Sequence, residues 1–409
     1  LGLSVSTLQA QASEDFLGRN IEKFSKGYIK TDLDYSNKMF DRQEWVTNKS
    51  TILLKERANG SLENQSLFLG ARFIGLGVWE QTDTSGKFPI ISRFPSQHTR
   101  GAEDEKLMTN DASFNATFLP HSALSFFVQG EYTEVEYPGQ DEFQWRKSYV
   151  VLGDLSKTPF YAKFGRDTVN FGDYTSYAPF THNHSPHYFW SQTEDPHLEI
   201  GYIKDGLEVA GTLIQNGRGL RVTNTPSTDG EGWQNFAFNI SNKVELREGV
   251  NLKLGAGYLH STIYDSTITH HPPSFGANNR ENAAWNVNAT LNYHDFDFNA
   301  EYTSTKNAWP GTGHKVNAIT LQGRYHHQVA NKPAIASLMY SRGNQGSNGT
   351  QWEKMDQFVL GYDVQVHDNV KFGVEYLRNL GFVPLVLPTI TGDRDVKSHT
   401  IIAGVELTF

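Results

Sequence analysis

The sequence predicts an all-β fold, a transmembrane antiparallel β-barrel of the bacterial outer membrane with about 18 strands, or 16 on the alternative count. Three observations carry this. Apolar and polar residues alternate over stretches of roughly nine to thirteen residues, which matches a tilted membrane strand and exceeds most soluble strands. Connections switch between tight turns and long polar loops, so one rim is short and the other long. The chain ends on a dyad-spaced apolar row, Ile401, Ala403, Val405, Leu407 and Phe409.

Composition removes the competing classes. The 409 residues carry a formal charge of -9, 36 glycines, 13% aromatics and no cysteine. Without cysteine there is no disulfide framework, thiolate metal site or Cys nucleophile. The acidic balance disfavours nucleic acid as a partner. No apolar run reaches the ~18 residues of a membrane helix. A mean hydropathy of -0.51 is no obstacle to a membrane barrel, because only alternate strand residues face lipid.

The elements follow in order. Leu1 to Leu8 is short and apolar, and Ala10-Gln11-Ala12 is a small-x-small cleavage site. Residues 1–12 are therefore expected to be the remainder of a signal peptide. Residues 13–26 are read as a periplasmic or lumenal segment, with Glu22-Lys23 in a short helix, and 27–409 as the barrel. Upstream strand candidates lie at 27–36, 48–56 and 66–79. Hairpins then fall near 111–137, 145–166, 197–215, 233–261, 283–305, 315–341 and 355–378, and a last strand at 397–409. Seven hairpins and the last strand make fifteen. All three upstream candidates bring the count to about 18, and demoting two of them to the lumen or rim brings it to about 16; parity favours an even number.

The alternation is clearest at Trp285 to Tyr293 and Phe296 to Tyr302, where odd and even positions differ in polarity around a His294-Asp295 turn. Tight turns are expected at 119–122, 154–159, 204–205 and 367–369. Long loops are expected at 81–110, 173–195, 217–232, 262–282, 342–354 and 379–396. The polar phase puts Arg72, Glu131, Arg146, Arg324, Asp363, Lys371, Glu375 and Glu406 on the lumen wall, with Asp154 at a lumen-side turn. Facing acids and bases in a pore set a transverse field and hence selectivity; most such charges also solvate or cross-link the wall.

One stretch is more specific. Val151-Leu152-Gly153-Asp154-Leu155-Ser156-Lys157-Thr158-Pro159-Phe160-Tyr161 through Gly165-Arg166, then Asn170-Phe171-Gly172-Asp173-Tyr174-Thr175-Ser176-Tyr177, resembles the strand–turn–strand–loop signature of the LbtU-type outer-membrane siderophore porins. It covers about thirty residues. Asn170 stands where that pattern usually has Pro, and Ala178-Pro179-Phe180-Thr181 replaces its P-L-T segment. The resemblance implies a barrel for iron uptake as ferric siderophore, or for another small solute, without a separate plug domain.

Further candidates sit in the loop that follows. Tyr174, Tyr177, His182, His184, His187 and Trp190 form a prospective ligand-binding set. The three histidines are also metal candidates by residue type, although their spacing matches no defined ligand motif. His270-His271 in another loop stands in the same position. No cofactor is implied. The glycine-rich 343–349 run lacks the Lys-Ser/Thr of a phosphate loop, and no G-x-S-x-G or H-E-x-x-H occurs.

The leading expectation is a non-enzymatic, porin-like transport channel, with a charged lumen narrowed by an inward-folded loop near 168–196. Its expected surroundings are the lipid bilayer and lipopolysaccharide, its cargo a small solute, and its assembly partner the barrel-insertion machinery acting on the Phe409 end. The alternative is a structural or secretion-complex barrel whose lumen is filled by a partner; an outer-membrane enzyme comes third.

Overall fold

A computed structural model describes residues 28–44, 46–47, 49–91, 101–134, 142–189, 196–215, 233–265, 281–351, 353–382 and 393–409. The signal-peptide expectation at 1–12, the segment 13–26, Trp190 and His270-His271 lie outside the described residues.

The chain opens with a short strand β1 (Tyr28–Lys30) and two helices, α1 (Leu33–Phe40) and α2 (Lys49–Ala58). Then come β2 (Ser66–Thr82), β3 (Glu103–His121), β4 (Leu124–Tyr132), β5 (Phe143–Gly153) and β6 (Phe160–Arg166). A short helix α3 (His184–Phe189) precedes β7 (His197–Lys204), β8 (Leu207–Gln215), β9 (Trp233–Arg247) and β10 (Val250–Leu259). The remaining strands are β11 (Ala284–Tyr293), β12 (Phe296–Thr305), β13 (Asn317–Val329), β14 (Lys332–Asn344), β15 (Lys354–His367), β16 (Val370–Phe382) and β17 (Asp393–Thr408).

From β2 to β17 every strand pairs antiparallel with its successor, and β17 pairs back onto β2 from Ser398↔Thr82 to Thr408↔Arg72. The sheet is a closed 16-stranded barrel. Closure leaves no free edge, which hydrocarbon demands because it offers backbone groups no partner.

Sixteen is the lower of the two expected counts, and the difference lies at the N-terminus. Of the 48–56 candidate, residues 49–56 are helical, not a strand. Thr51-Ile52-Leu53-Leu54 has no period-two alternation, and the Lys-Glu-Arg that follows consists of good helix formers. The 27–36 candidate divides into β1 and the start of α1. Asp32 caps that helix by accepting a hydrogen bond from the Tyr35 amide at 2.9 Å, and Tyr35, Met39 and Phe40 share its buried face. β1 runs parallel to β2 over Tyr28↔Ser66 to Lys30↔Phe68. It takes up the stretch of β2 that lies past the end of β17, where Phe409 and Ala71 exchange backbone hydrogen bonds.

The two faces of the sheet have the polarity of a membrane barrel. Outward Phe298, Leu338 and Val374 are 48%, 47% and 46% exposed, whereas their neighbours Asn299 and Glu375 are 2% and 1% exposed. In a soluble sandwich the order would be reversed. The outward belt includes stacked rings at the short-turn rim, with Phe296 and Tyr325 centroids 4.7 Å apart, the position of an interfacial aromatic girdle.

Turns on the short rim are tight. Asp205-Gly206 and Ala330-Asn331 each have positive φ at both residues, matching the right-handed twist of the flanking strands. The longer connections all open on the other rim.

The interior is not uniformly polar. Ile74, Leu76, Val78, Met339, Val359, Leu377 and Ile402 point inward and pack with Phe88, Ile90, Ile91, Ala178 and Phe180 from two loops. A second cluster joins Tyr35, Met39, Leu53 and Leu54 of the helices to Phe68, Phe127, Tyr149, Val151 and Tyr161 of β2 and β4–β6. The helices are therefore packed on the inner wall near the short-turn rim. Lys55 adds an ion pair to Glu208, and the Tyr35 hydroxyl is 2.9 Å from that of Thr117.

Candidate functional site

Most of the charges assigned to the lumen wall face inward, and most are ion-paired. Arg72 is buried against Asp111 and donates to the Phe40 carbonyl at the end of α1. Arg146 Nε lies 3.1 Å from Glu131, and Lys371 Nζ lies 2.6 Å from Glu406. Asp363 is buried on the inner face of β15. Asp154 is the exception. It sits in the β5–β6 turn on the short rim, 2.7 Å from Lys157, so it belongs to the mouth and not to the wall. The Lys157 and Ser156 hydrogen bonds hold its carboxyl well below the usual range.

The α1–α2 connection supplies charges that sequence reasoning missed. Arg42 reaches Asp111 at 3.2 Å and Glu131 at 3.5 Å. Glu44 pairs with Arg324 on β13, whose Nε also lies 2.7 Å from Asp297. The Arg324 guanidinium sits 4.4 Å above the Tyr177 ring centroid. Helix connection, wall and loop thus meet on one side chain. Lys49 Nζ donates to the Lys38 and Glu44 carbonyls, and burial pushes its ammonium down to about 8.

The connection from β6 to β7 is bound to inner-face side chains by a repeated device. Glu301 accepts hydrogen bonds from the Asp173 and Tyr174 amides. Glu375 accepts from the Phe180 and Thr181 amides and from the Thr181 hydroxyl at 2.6 Å. Glu80 does the same for Ile90 and Ile91 of the β2–β3 loop. Each buried carboxylate takes two successive N–H groups, a charge-assisted arrangement stronger than neutral bonds. Gln322 adds a bond from the Tyr177 amide at 2.8 Å. Glu301 and Glu80 stood in the polar phase of alternating strands, so a fuller reading of that phase would have found them. Arg42 and Glu44 carry no periodic signal.

Tyr174 and Tyr177 of the expected ligand set are buried, and both are used in fixing the segment. Tyr174 adopts a φ of 59° and packs edge-on against Phe171 at 6.1 Å. His184 and His187 are buried in α3 and His182 is half-buried. The His182 and His187 rings lie edge to face at 6.4 Å, and His184 faces Tyr188 at 6.2 Å. Among the described residues no three His, Cys, Asp or Glu side chains are grouped to hold a metal ion.

A further buried network lies on β6 and β7. Lys163 is 3.1 Å from Asp167 and 3.3 Å from Glu199, and His197 Nε2 is 2.7 Å from Asp167. Tyr161 donates to Glu199 at 2.8 Å. These charges offset one another at the root of the β6–β7 loop, while His197 Nδ1 has no hydrogen-bond partner.

Comparison with solved structures gives the same architecture. OprB of Pseudomonas putida superposes with a TM-score of 0.59 at 9% identity, covering 89% of this chain and 97% of that one. The fold is that of an outer-membrane porin. The anion-selective porin of Comamonas acidovorans gives a TM-score of 0.55 at 13% identity, over 84% of this chain and 99% of the other. OmpF of Salmonella typhi, in complex with daunomycin, gives 0.54 at 14% identity over 84% and 97%. In sequence, the chain is 20% identical over 377 residues to a UPF0422 protein of Coxiella burnetii, covering 88% of this chain and 77% of that protein. No protein-family model matches the chain. The porin likeness bears out the outer-membrane barrel, and the finer siderophore resemblance has no counterpart in these comparisons.

Proposed function

We propose that the protein is a non-enzymatic outer-membrane channel for a small solute, narrowed by residues 167–189 and by helices α1 and α2. The observation that carries this reading is the junction at Arg324, where groups from the helix connection, the wall and the β6–β7 loop converge. A barrel of this size encloses an aqueous path unless something fills it. Here two elements of the chain itself approach the same inner-wall side chain. That favours a conduit controlled from within over a barrel filled by a separate secretion partner.

The narrower reading is passage of a ferric siderophore. It rests on the resemblance at 151–177, whose parts have clear structural roles in this chain. Asp154 to Pro159 forms the short-rim turn. Asn170 accepts from Asn239 at 2.9 Å, and the Gly172 carbonyl accepts from Thr47 at 2.8 Å. The signature thus forms a turn and a loop anchor that meets the helix connection. A bulky iron complex would require the helices or the loop to yield. In the cell we place the barrel among phospholipid and lipopolysaccharide, inserted by machinery that reads the Phe409 strand.

Swelling of liposomes containing the purified protein tests the channel reading with sugars of increasing size. Swelling with the smallest solutes and a sharp size limit is expected; none with any solute contradicts it. Uptake of a ferric hydroxamate or catecholate into the same liposomes tests the narrower reading.

A further inference from the structure

The register between β4 and β5 shifts at Gln129↔Lys147 and Gly130↔Trp145, so Arg146 is an extra residue on β5. A bulge of this kind changes the phase of the strand. Gln144 and Arg146 are buried on one side of it, Tyr149 and Val151 on the other, while Trp145 and Leu152 stay outside. Two consecutive cations, Arg146 and Lys147, therefore both face a small interior cavity of ≈ 30 Å³, room for one or two water molecules.

The charges around that cavity are unbalanced. Arg42, Lys49, Arg146 and Lys147 line it against only Asp41 and Glu131. Glu131 is already engaged by Arg146 and Arg42. The next carboxylate along, Asp167, is held by Lys163 and His197. Among the described residues Lys147 makes no hydrogen bond or ion pair. Gln129, also lining the cavity, is buried with its side-chain oxygen unpartnered. A half-turn of that amide exchanges its oxygen and nitrogen, so it can present two N–H donors instead. Thr168 closes the cavity from the β6–β7 loop with a hydroxyl. A space lined by an excess of ammonium and guanidinium groups, one of them without a counter-ion, stabilises a negative ion.

We propose that this cavity is a binding site for one compact inorganic anion, with Lys147 as its principal ligand and Arg146, Lys49 and the Gln129 amide around it. The inference deepens the channel reading by placing an anion between the helix connection and the wall. It does not need ions to be conducted, only to enter. Occupancy would tie the α1–α2 connection to β5 and make its position depend on the anion outside.

Thermal unfolding of the purified full chain in detergent tests this, at constant ionic strength, with chloride or with gluconate, which is too large for the cavity. Chloride is expected to raise the midpoint by about 2 °C at ten times its dissociation constant. Lys147→Gln should remove that increment, and Lys354→Gln, at the loop-side end of β15 and paired to Asp356, should keep it. An increment that is absent from the wild type, or equal in Lys147→Gln, overturns the proposal. Should Lys147→Gln not fold, bromide soaked into crystals of the wild type decides the matter. An anomalous peak within hydrogen-bonding reach of Lys147 Nζ supports the site, and its absence refutes it. Liposome swelling is scored separately, so loss of the channel reading and loss of the anion site remain distinguishable.

Discussion

The Arg324 guanidinium carbon sits over the Tyr177 ring, 4.4 Å from its centroid, and this contact joins the β6–β7 loop to the wall at the point where Glu44 arrives from the helices. Arg324→Ala removes the stacking and leaves Glu44 and Asp297 without their shared cation. Denaturant unfolding should show a loss of about 2 kcal/mol, below the full cost of breaking a buried pair because both partners keep some solvent contact. In bilayers the variant should open more often than the wild type.

Glu375 holds the loop further along through the Phe180 and Thr181 amides. Glu375→Ala leaves two buried N–H groups unpaired, at about 1–3 kcal/mol each. Because the loop is local, the larger effect should be on its accessibility. Limited proteolysis from the outer face should cut within 167–189 in the variant and spare the wild type.

The alternation of Phe296 to Tyr302 made the membrane face legible, because each side of that hairpin has a single polarity. β2 was harder. Leu67, Leu69 and Phe73 point out while Phe68, Ile74, Leu76 and Val78 point in, so both faces are apolar where the interior packs against a loop. The helix at 49–58 was hidden for a related reason. Ile52, Leu53 and Leu54 are all buried, and a short apolar run does not separate a strand from a helix inside a barrel. Of the site, the wall charges followed from strand phase. Their partners Arg42 and Glu44 did not, since an irregular connection has no period from which contact can be inferred.

The helix docking should depend on pH through Lys49. Burial lowers its ammonium from an ordinary 10.5 to about 8, with Arg72 adding to the effect and Asp41 and Glu44 opposing it. Between these values the undocked segment binds more protons than the docked one. Docking is therefore penalised in full below about pH 8 and strengthens as pH rises toward 10.5, by on the order of 3 kcal/mol. Amide exchange of residues 49–58, corrected for intrinsic rates, should show protection rising over that window. Constant or falling protection would remove Lys49 from the docking equilibrium.

The outer belt gives a sharper contrast on one strand. Leu338 faces outward and Ser341 inward on β14. Leu338→Arg should destabilise the barrel in lipid by about 2–4 kcal/mol if it sits near the bilayer midplane. Ser341→Ala removes a buried hydroxyl that has no partner and should be close to neutral. Equal effects at the two positions would mean that the assigned faces are wrong.

Single-channel recording in planar bilayers bears most directly on a conduit controlled from within. The wild type should give small, discrete current steps, and Arg324→Ala should give larger or more frequent ones. Silence from both proteins, after each is shown to be folded and inserted, would contradict a solute path through this barrel.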